Sequence, residues 1–236
     1  MTQDRTQGRR SFLSRIVAGA GAFGAAFATS TATEAQAQTP ASGPFQPARH
    51  TEDDWLDQTP GAKHRFFYDT TTTDGCAQAL FFARNYFVAS ASGYKLADAD
   101  VAQVICLRHA SASFAFNDAM WAKYGVYLSE RGDHFVDPKT KQVPTTNLMM
   151  VSGYGELLRN VNVTIDQMAK RGVRFAVCGM ATRAAAQLAA TKSGGNVDAI
   201  FKELSENLVP GGHLVPAGIV SVNHAQERGY SFVYVV

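Results

Sequence analysis

The side chain best placed for chemistry in this sequence is a thiol. Cys178 closes a short apolar run, Phe175-Ala176-Val177-Cys178, and a helical pattern follows from Gly179-Met180-Ala181-Thr182. A cysteine at the carboxyl end of a strand faces the mouth of the next helix. The unpaired N–H groups there, and the positive end of the helix dipole, favour thiolate over thiol. Gly179 lets a ligand or a second backbone come close, Thr182 has a hydroxyl suited to capping the helix, and Arg183 adds a positive charge. The competing reading is structural, because free cysteine is among the most buried residue types. Position alone leaves both open.

The remaining candidates are weaker. Cys76 falls in the first turn of a predicted helix and Cys106 in mid-strand between Ile105 and Leu107. Cys76, Cys106 and Cys178 contain no C-x-x-C, so neither a dithiol motif nor a zinc ribbon is supported and no metal is expected; no sequence feature demands a cofactor. His109 follows Arg108 at the end of a strand and is placed to act as base, acid or anion partner beside Cys178. The alternative is a surface histidine. Asn117 and Asp118 suit a helix cap, and His213 and His224 lack metal spacing. No G-x-S-x-G elbow or phosphate loop occurs.

These residues need a scaffold, and the pattern alternates strand with helix. Strands are predicted at 64–69, 101–107, 174–178, 213–215 and 231–236. Helices are predicted from Cys76 to Gly93 and at 117–128, 154–172, 182–190, 197–208 and 219–228, with Asp74 as the cap of the first. Residues 129–150 are polar, hold Gly132, Pro138 and Pro144, and read as a long surface loop. The near-continuous apolar run at 101–107 suits a strand buried on both faces. The expectation is a single α/β domain over 63–236, with a mostly parallel, doubly wound sheet and helices on both faces, a flavodoxin-like three-layer arrangement.

The chain carries 22 Lys+Arg against 20 Asp+Glu, a formal charge of +2. Residues 1–37 hold four of the basic and two of the acidic residues, leaving the remainder balanced. That balance gives no argument for nucleic acid. The same 37 residues run from a basic start through an apolar stretch at 16–28 to Ala35-Gln36-Ala37, the order of an export signal. Within it, Arg9-Arg10-Ser11-Phe12-Leu13 resembles the twin-arginine signal. Cleavage is expected after Ala37, with the mature chain in the periplasm and the twin-arginine machinery as a partner of the precursor. Residues 38–62 read as an extended N-terminal arm. Gly19-Ala20-Gly21-Ala22-Phe23-Gly24 matches a dinucleotide fingerprint in letters only, since no strand precedes it. No other apolar run is long enough to span a bilayer, which needs about 20 residues. Three cysteines are an odd number for an oxidising compartment, so at least one is free or pairs between molecules.

The C-terminal third carries a resemblance. Val177-Cys178-Gly179-Met180-Ala181, then Leu214-Val215-Pro216-Ala217-Gly218-Ile219-Val220, then Gln226-Glu227-Arg228-Gly229-Tyr230 before a last strand resembles the DsrE/DsrF-like sulfur-relay family. The resemblance spans 63–236, with its specific motifs in 177–236. It implies a compact α/β fold with a parallel sheet and assembly into trimers or hexamers. It also implies a cysteine at the position of Cys178 that carries sulfur as a persulfide, with a small sulfur compound or a donor or acceptor protein as partner. The export signal and the 129–150 segment depart from the well-known cytoplasmic members. So does the long stretch before Val215-Pro216-Ala217-Gly218. The rival reading is a non-catalytic binding or oligomeric assembly module of the same fold, with a small molecule or redox cofactor such as a flavin held at the C-terminal sheet edge.

Overall fold

The computed structural model describes residues 45–59 and 61–236. The export-signal reading of 1–37 lies outside the described residues. Five strands, β1 (His64–Thr70), β2 (Val101–Leu107), β3 (Arg174–Cys178), β4 (Gly212–Val215) and β5 (Ser231–Val235), form one sheet in the order β4-β3-β2-β1-β5. Every pairing is parallel. Six helices accompany it: α1 (Thr73–Tyr94), α2 (Asp118–Arg131), α3 (Ile165–Lys170), α4 (Gly179–Ser193), α5 (Val197–Glu206) and α6 (Gly218–Glu227).

The strand order dictates which face each helix covers. The chain steps from β1 to β4 in one direction, then returns across the whole sheet to β5, so α6 must lie opposite the other helices if all crossovers share one hand. The buried residues divide accordingly. Leu80 and Phe87 of α1, Trp121 of α2, Ile165 of α3, Ala186 of α4 and Leu204 of α5 pack with Ile105, Phe175 and Val177 on one face. Val222 and Ala225 of α6 pack with Phe67, Val104 and Ala176 on the other. The fold is a three-layer α/β arrangement with an all-parallel sheet.

Local chemistry moved several boundaries. Thr72, not Asp74, caps α1, its Oγ1 accepting from the Gly75 N–H at 2.9 Å. Asn117 caps α2 by accepting from Met120 N–H. The helix expected over 154–172 is broken. A 3-10 turn at Gly155–Leu158 ends at Arg159, whose φ is +57°, and Val161 and Asn162 are also left-handed at +51° and +62°. Asn162 Oδ1 accepts from the N–H groups of Gly153 and Gly155, competing with helix formation. Helix α3 then restarts at a capping box between Thr164 and Gln167.

The 129–150 segment is only partly a surface loop. Asn147 is fully buried and donates from Nδ2 to the carbonyls of Phe114 and Phe116, both at 2.8 Å, and Met149 enters the core. Within the stretch read as an extended arm, Thr51–Asp57 forms a 3-10 turn, with Trp55 and Leu56 buried on the α6 face. Arg174 donates to the Trp55 carbonyl, and Tyr230 Oη donates to the Leu56 carbonyl at 2.6 Å.

Candidate functional site

Strands β3 and β4 are neighbours whose chains leave to opposite faces, β3 into α4 and β4 into α6. Such a switch point opens a crevice at the carboxyl ends of the strands, where ligands of open α/β sheets bind. Cys178 lies at that point, opposite Val215 across the β3–β4 ladder. It is the N-cap residue of α4, its side chain makes no capping bond, and it is 7% exposed. The first N–H groups of a 15-residue helix therefore begin immediately after the thiol-bearing residue.

Gly179 sits where no side chain fits. A Cβ there would stand 2.9 Å from the Val215 carbonyl oxygen and 3.2 Å from that of Pro216. The turn leaving β3 and the turn leaving β4 thus touch through backbone alone. The N-terminus of α6 closes the other side: a Cβ at Gly218 would lie 2.9 Å from both Cys106 Sγ and Arg108 Cδ.

The other predicted residues disperse. Thr182 Oγ1 donates to the Cys178 carbonyl at 3.0 Å, bracing the first turn of α4 from within instead of capping its N–H groups. Arg183 reaches away toward α5, pairing with Asp198 at 2.6 Å and lying over the Phe201 ring at 5.1 Å. His109 is exposed in a left-handed turn with φ of +53°. The cation on the thiol side of the sheet is its neighbour Arg108. The β2–β3 register pairs Leu107 with Val177, so Arg108 stands at the level of Cys178 one residue on.

Arg108 and Asp69 form a pair that sequence reasoning missed. Nε and Nη2 of Arg108 donate to the two carboxylate oxygens of Asp69, each at 2.7 Å. Asp69 is 2% exposed. Its hydrogen bonds raise the Arg108 pKa, holding the guanidinium charged. A signal existed: Asp69 is a carboxylate at the end of an otherwise aromatic strand, and such a group is buried only with a partner.

The three thiols are free and differ in setting. Burial pushes the Cys76 thiol up to about 12. Burial, followed by the Asp69 carboxylate and Cys178, pushes Cys106 well above its usual range, with Arg108 opposing. All three are buried, and burial is what raises Cys76 and Cys106. Cys178 is left as the thiol at a helix mouth.

Along the open edge of β4 runs a groove of about 690 Å³ that reaches Gly179, the residue after Cys178, while Cys178 itself is not part of its lining. Its lining includes Gly179, Met180, Phe201, Leu214 and Pro216, with Arg183, His213 and Glu52 as the polar residues. The 3-10 turn of the arm supplies Glu52 and stacks Trp55 on His213 with ring centroids 4.7 Å apart. Burial lowers the His213 pKa, and a hydrogen bond to the Glu52 backbone opposes that. A second depression, about 430 Å³, lies at the N-terminus of α1, where Asp74 pairs with Arg159 at 3.3 Å.

Among the described residues, no group of three or more His, Cys, Asp or Glu side chains is gathered to hold a metal ion. No described helix is long and apolar enough to cross a membrane. The class that fold and site define is a five-stranded, all-parallel three-layer α/β protein with a cysteine at its switch point. Comparison with protein-family models, curated proteins and solved structures found no match.

Proposed function

We propose that this is an exported sulfur-handling protein in which the Cys178 thiolate takes up sulfane sulfur and holds it as a persulfide for an acceptor. The observation that carries the reading is the position of Cys178 at the mouth of α4, in the switch crevice, while burial raises the pKa of both other thiols. The step balances without an added oxidant. Cys178 Sγ attacks the terminal sulfane sulfur of a polysulfide, a new S–S bond forms, and the donor S–S bond breaks. The shortened polysulfide leaves with the electron pair. The N–H groups of α4 stabilise first the thiolate and then the persulfide anion.

The setting in this proposal is the periplasm, reached by the twin-arginine route with cleavage after Ala37, and the state a homo-oligomer such as a trimer or hexamer. Neither nucleic acid nor a stable membrane span is a partner. Labelling of the folded protein with iodoacetamide across pH tests the thiol. Reaction of Cys178 below pH of about 8.5, the value of an ordinary thiol, supports the reading. Silence up to that pH overturns it.

A second reading, a non-catalytic assembly module, is favoured by one observation. Phe232 and Tyr234 of the edge strand β5 stand 40% and 50% exposed, and Val236 just beyond it 57%. Parallel sheets are ordinarily covered on both faces. Under this reading Cys178 is packing only, and the alkylation experiment separates the two.

A further inference from the structure

We infer that the groove along β4 is a binding site for an uncharged, apolar organic molecule. The inference stands apart from the proposed sulfur chemistry at Cys178, which does not line the groove.

The volume, about 690 Å³, is in the usual range for small-molecule sites, and the groove opens at the switch point where this architecture places ligands. Its surface is dominated by Met180, Phe201, Leu214 and Pro216. Met180 is 69% exposed, a large apolar side chain held in water beside the mouth of α4. A flexible thioether adapts to varied apolar partners and makes favourable contacts with aromatic rings.

The charges decide the ligand class. Arg183 is the cation of the groove, and Asp198 holds its guanidinium at 2.6 Å while the Phe201 ring lies beneath it. An incoming anion has to compete with the Asp198 carboxylate for it. The other polar residues of the wall are Glu52, which adds no positive charge, and His213, whose pKa burial lowers toward the neutral form. An oxyanion would lose hydration here against mostly apolar walls, its one cation already paired with Asp198. An apolar body loses nothing of that kind and removes Met180 and Leu214 from water.

The groove is also built to persist. One wall is the 3-10 turn at Thr51–Asp57, fixed by the Trp55–His213 stack, by Arg174 bound to Thr59 Oγ1 at 2.8 Å, and by Tyr230 bound to the Leu56 carbonyl.

Two dyes sharing one skeleton test the inference: neutral N-phenyl-1-naphthylamine and its sulfonated relative, 8-anilinonaphthalene-1-sulfonate. Titration of the folded protein is expected to show saturable fluorescence enhancement by the neutral dye, one per chain, at least tenfold tighter than by the sulfonate. Met180→Glu, a change at an exposed position, is expected to weaken the neutral dye at least tenfold, whereas Ile219→Glu, exposed outside the groove, leaves it unchanged. Cys178→Ser is expected to bind the dye like the parent, so loss of sulfur chemistry and loss of the groove are read separately. Absence of saturable binding, equal or tighter binding of the sulfonate, or indifference to Met180→Glu would overturn the inference.

Discussion

Gly179 is held at a point where two backbone turns meet, and its missing side chain is a packing requirement. A methyl group placed 2.9 Å from the Val215 carbonyl must push β4 from β3 or unwind the first turn of α4. Gly179→Ala is expected to cost about 1–3 kcal/mol, the range for overpacking, seen as a lower denaturant midpoint at unchanged slope. Asp69 is constrained by charge. Asp69→Asn leaves the Arg108 guanidinium without its carboxylate beneath α6, and a loss of about 3 kcal/mol is expected in the same assay. The thiols differ by setting as well. With Cys76 pushed up to about 12 and both Cys76 and Cys106 no more than 1% exposed, a thiol reagent at pH 8 should mark Cys178 alone, and all three only after unfolding. Labelling of Cys76 in the native state would contradict that assignment. Cys178 and Gly179 were legible in the sequence because a small residue after an apolar strand marks the sheet edge. Arg108 was not, since a charged residue there reads as the strand's boundary and its partner lies 39 positions away.

The segment 50–59 and the stretch around Asn147 show what periodicity cannot register. Neither has a repeating apolar pattern, yet Trp55, Leu56 and Met149 enter the core because single anchors hold them. Asn147→Ala would strand the Phe114 and Phe116 carbonyls in the interior, and about 2–4 kcal/mol of destabilisation is expected. The arm carries a pH dependence. The folded pKa of His213 lies below its unfolded value near 6.5, so the unfolded chain binds the extra proton and stability falls as pH drops through that value. Between pH of about 7.5 and 5.5, the midpoint for the parent should fall more than that for His213→Gln. Equal slopes would remove His213 as the cause. Strands β2 and β3 matched their predicted limits because apolar runs bounded by turns are unambiguous. The 154–172 stretch did not, because Asn160, Asn162 and Thr164 bond locally and outweigh a helical spacing of Leu157, Val161 and Ile165.

The whole molecule follows from one topological fact, a single reversal of direction after β4. That reversal sends α6 alone to the second face, opens the crevice between β3 and β4, and leaves β4 and β5 as edges. The alternation of strands and helices made the class readable from sequence, but strand order is a property of long-range pairing and carries no local signature. For the same reason the β4 groove was invisible: its walls come from the arm, α4, α5 and β4, and meet only after folding. Cys178 is where the global arrangement and the local chemistry coincide. The most direct measurement is peptide-resolved mass spectrometry of the folded protein after exposure to polysulfide. One added sulfur atom on Cys178 is expected, removed by a thiol reductant and absent from Cys178→Ser, with Cys76 and Cys106 unchanged. An unmodified Cys178 under conditions that modify a free cysteine peptide would contradict it.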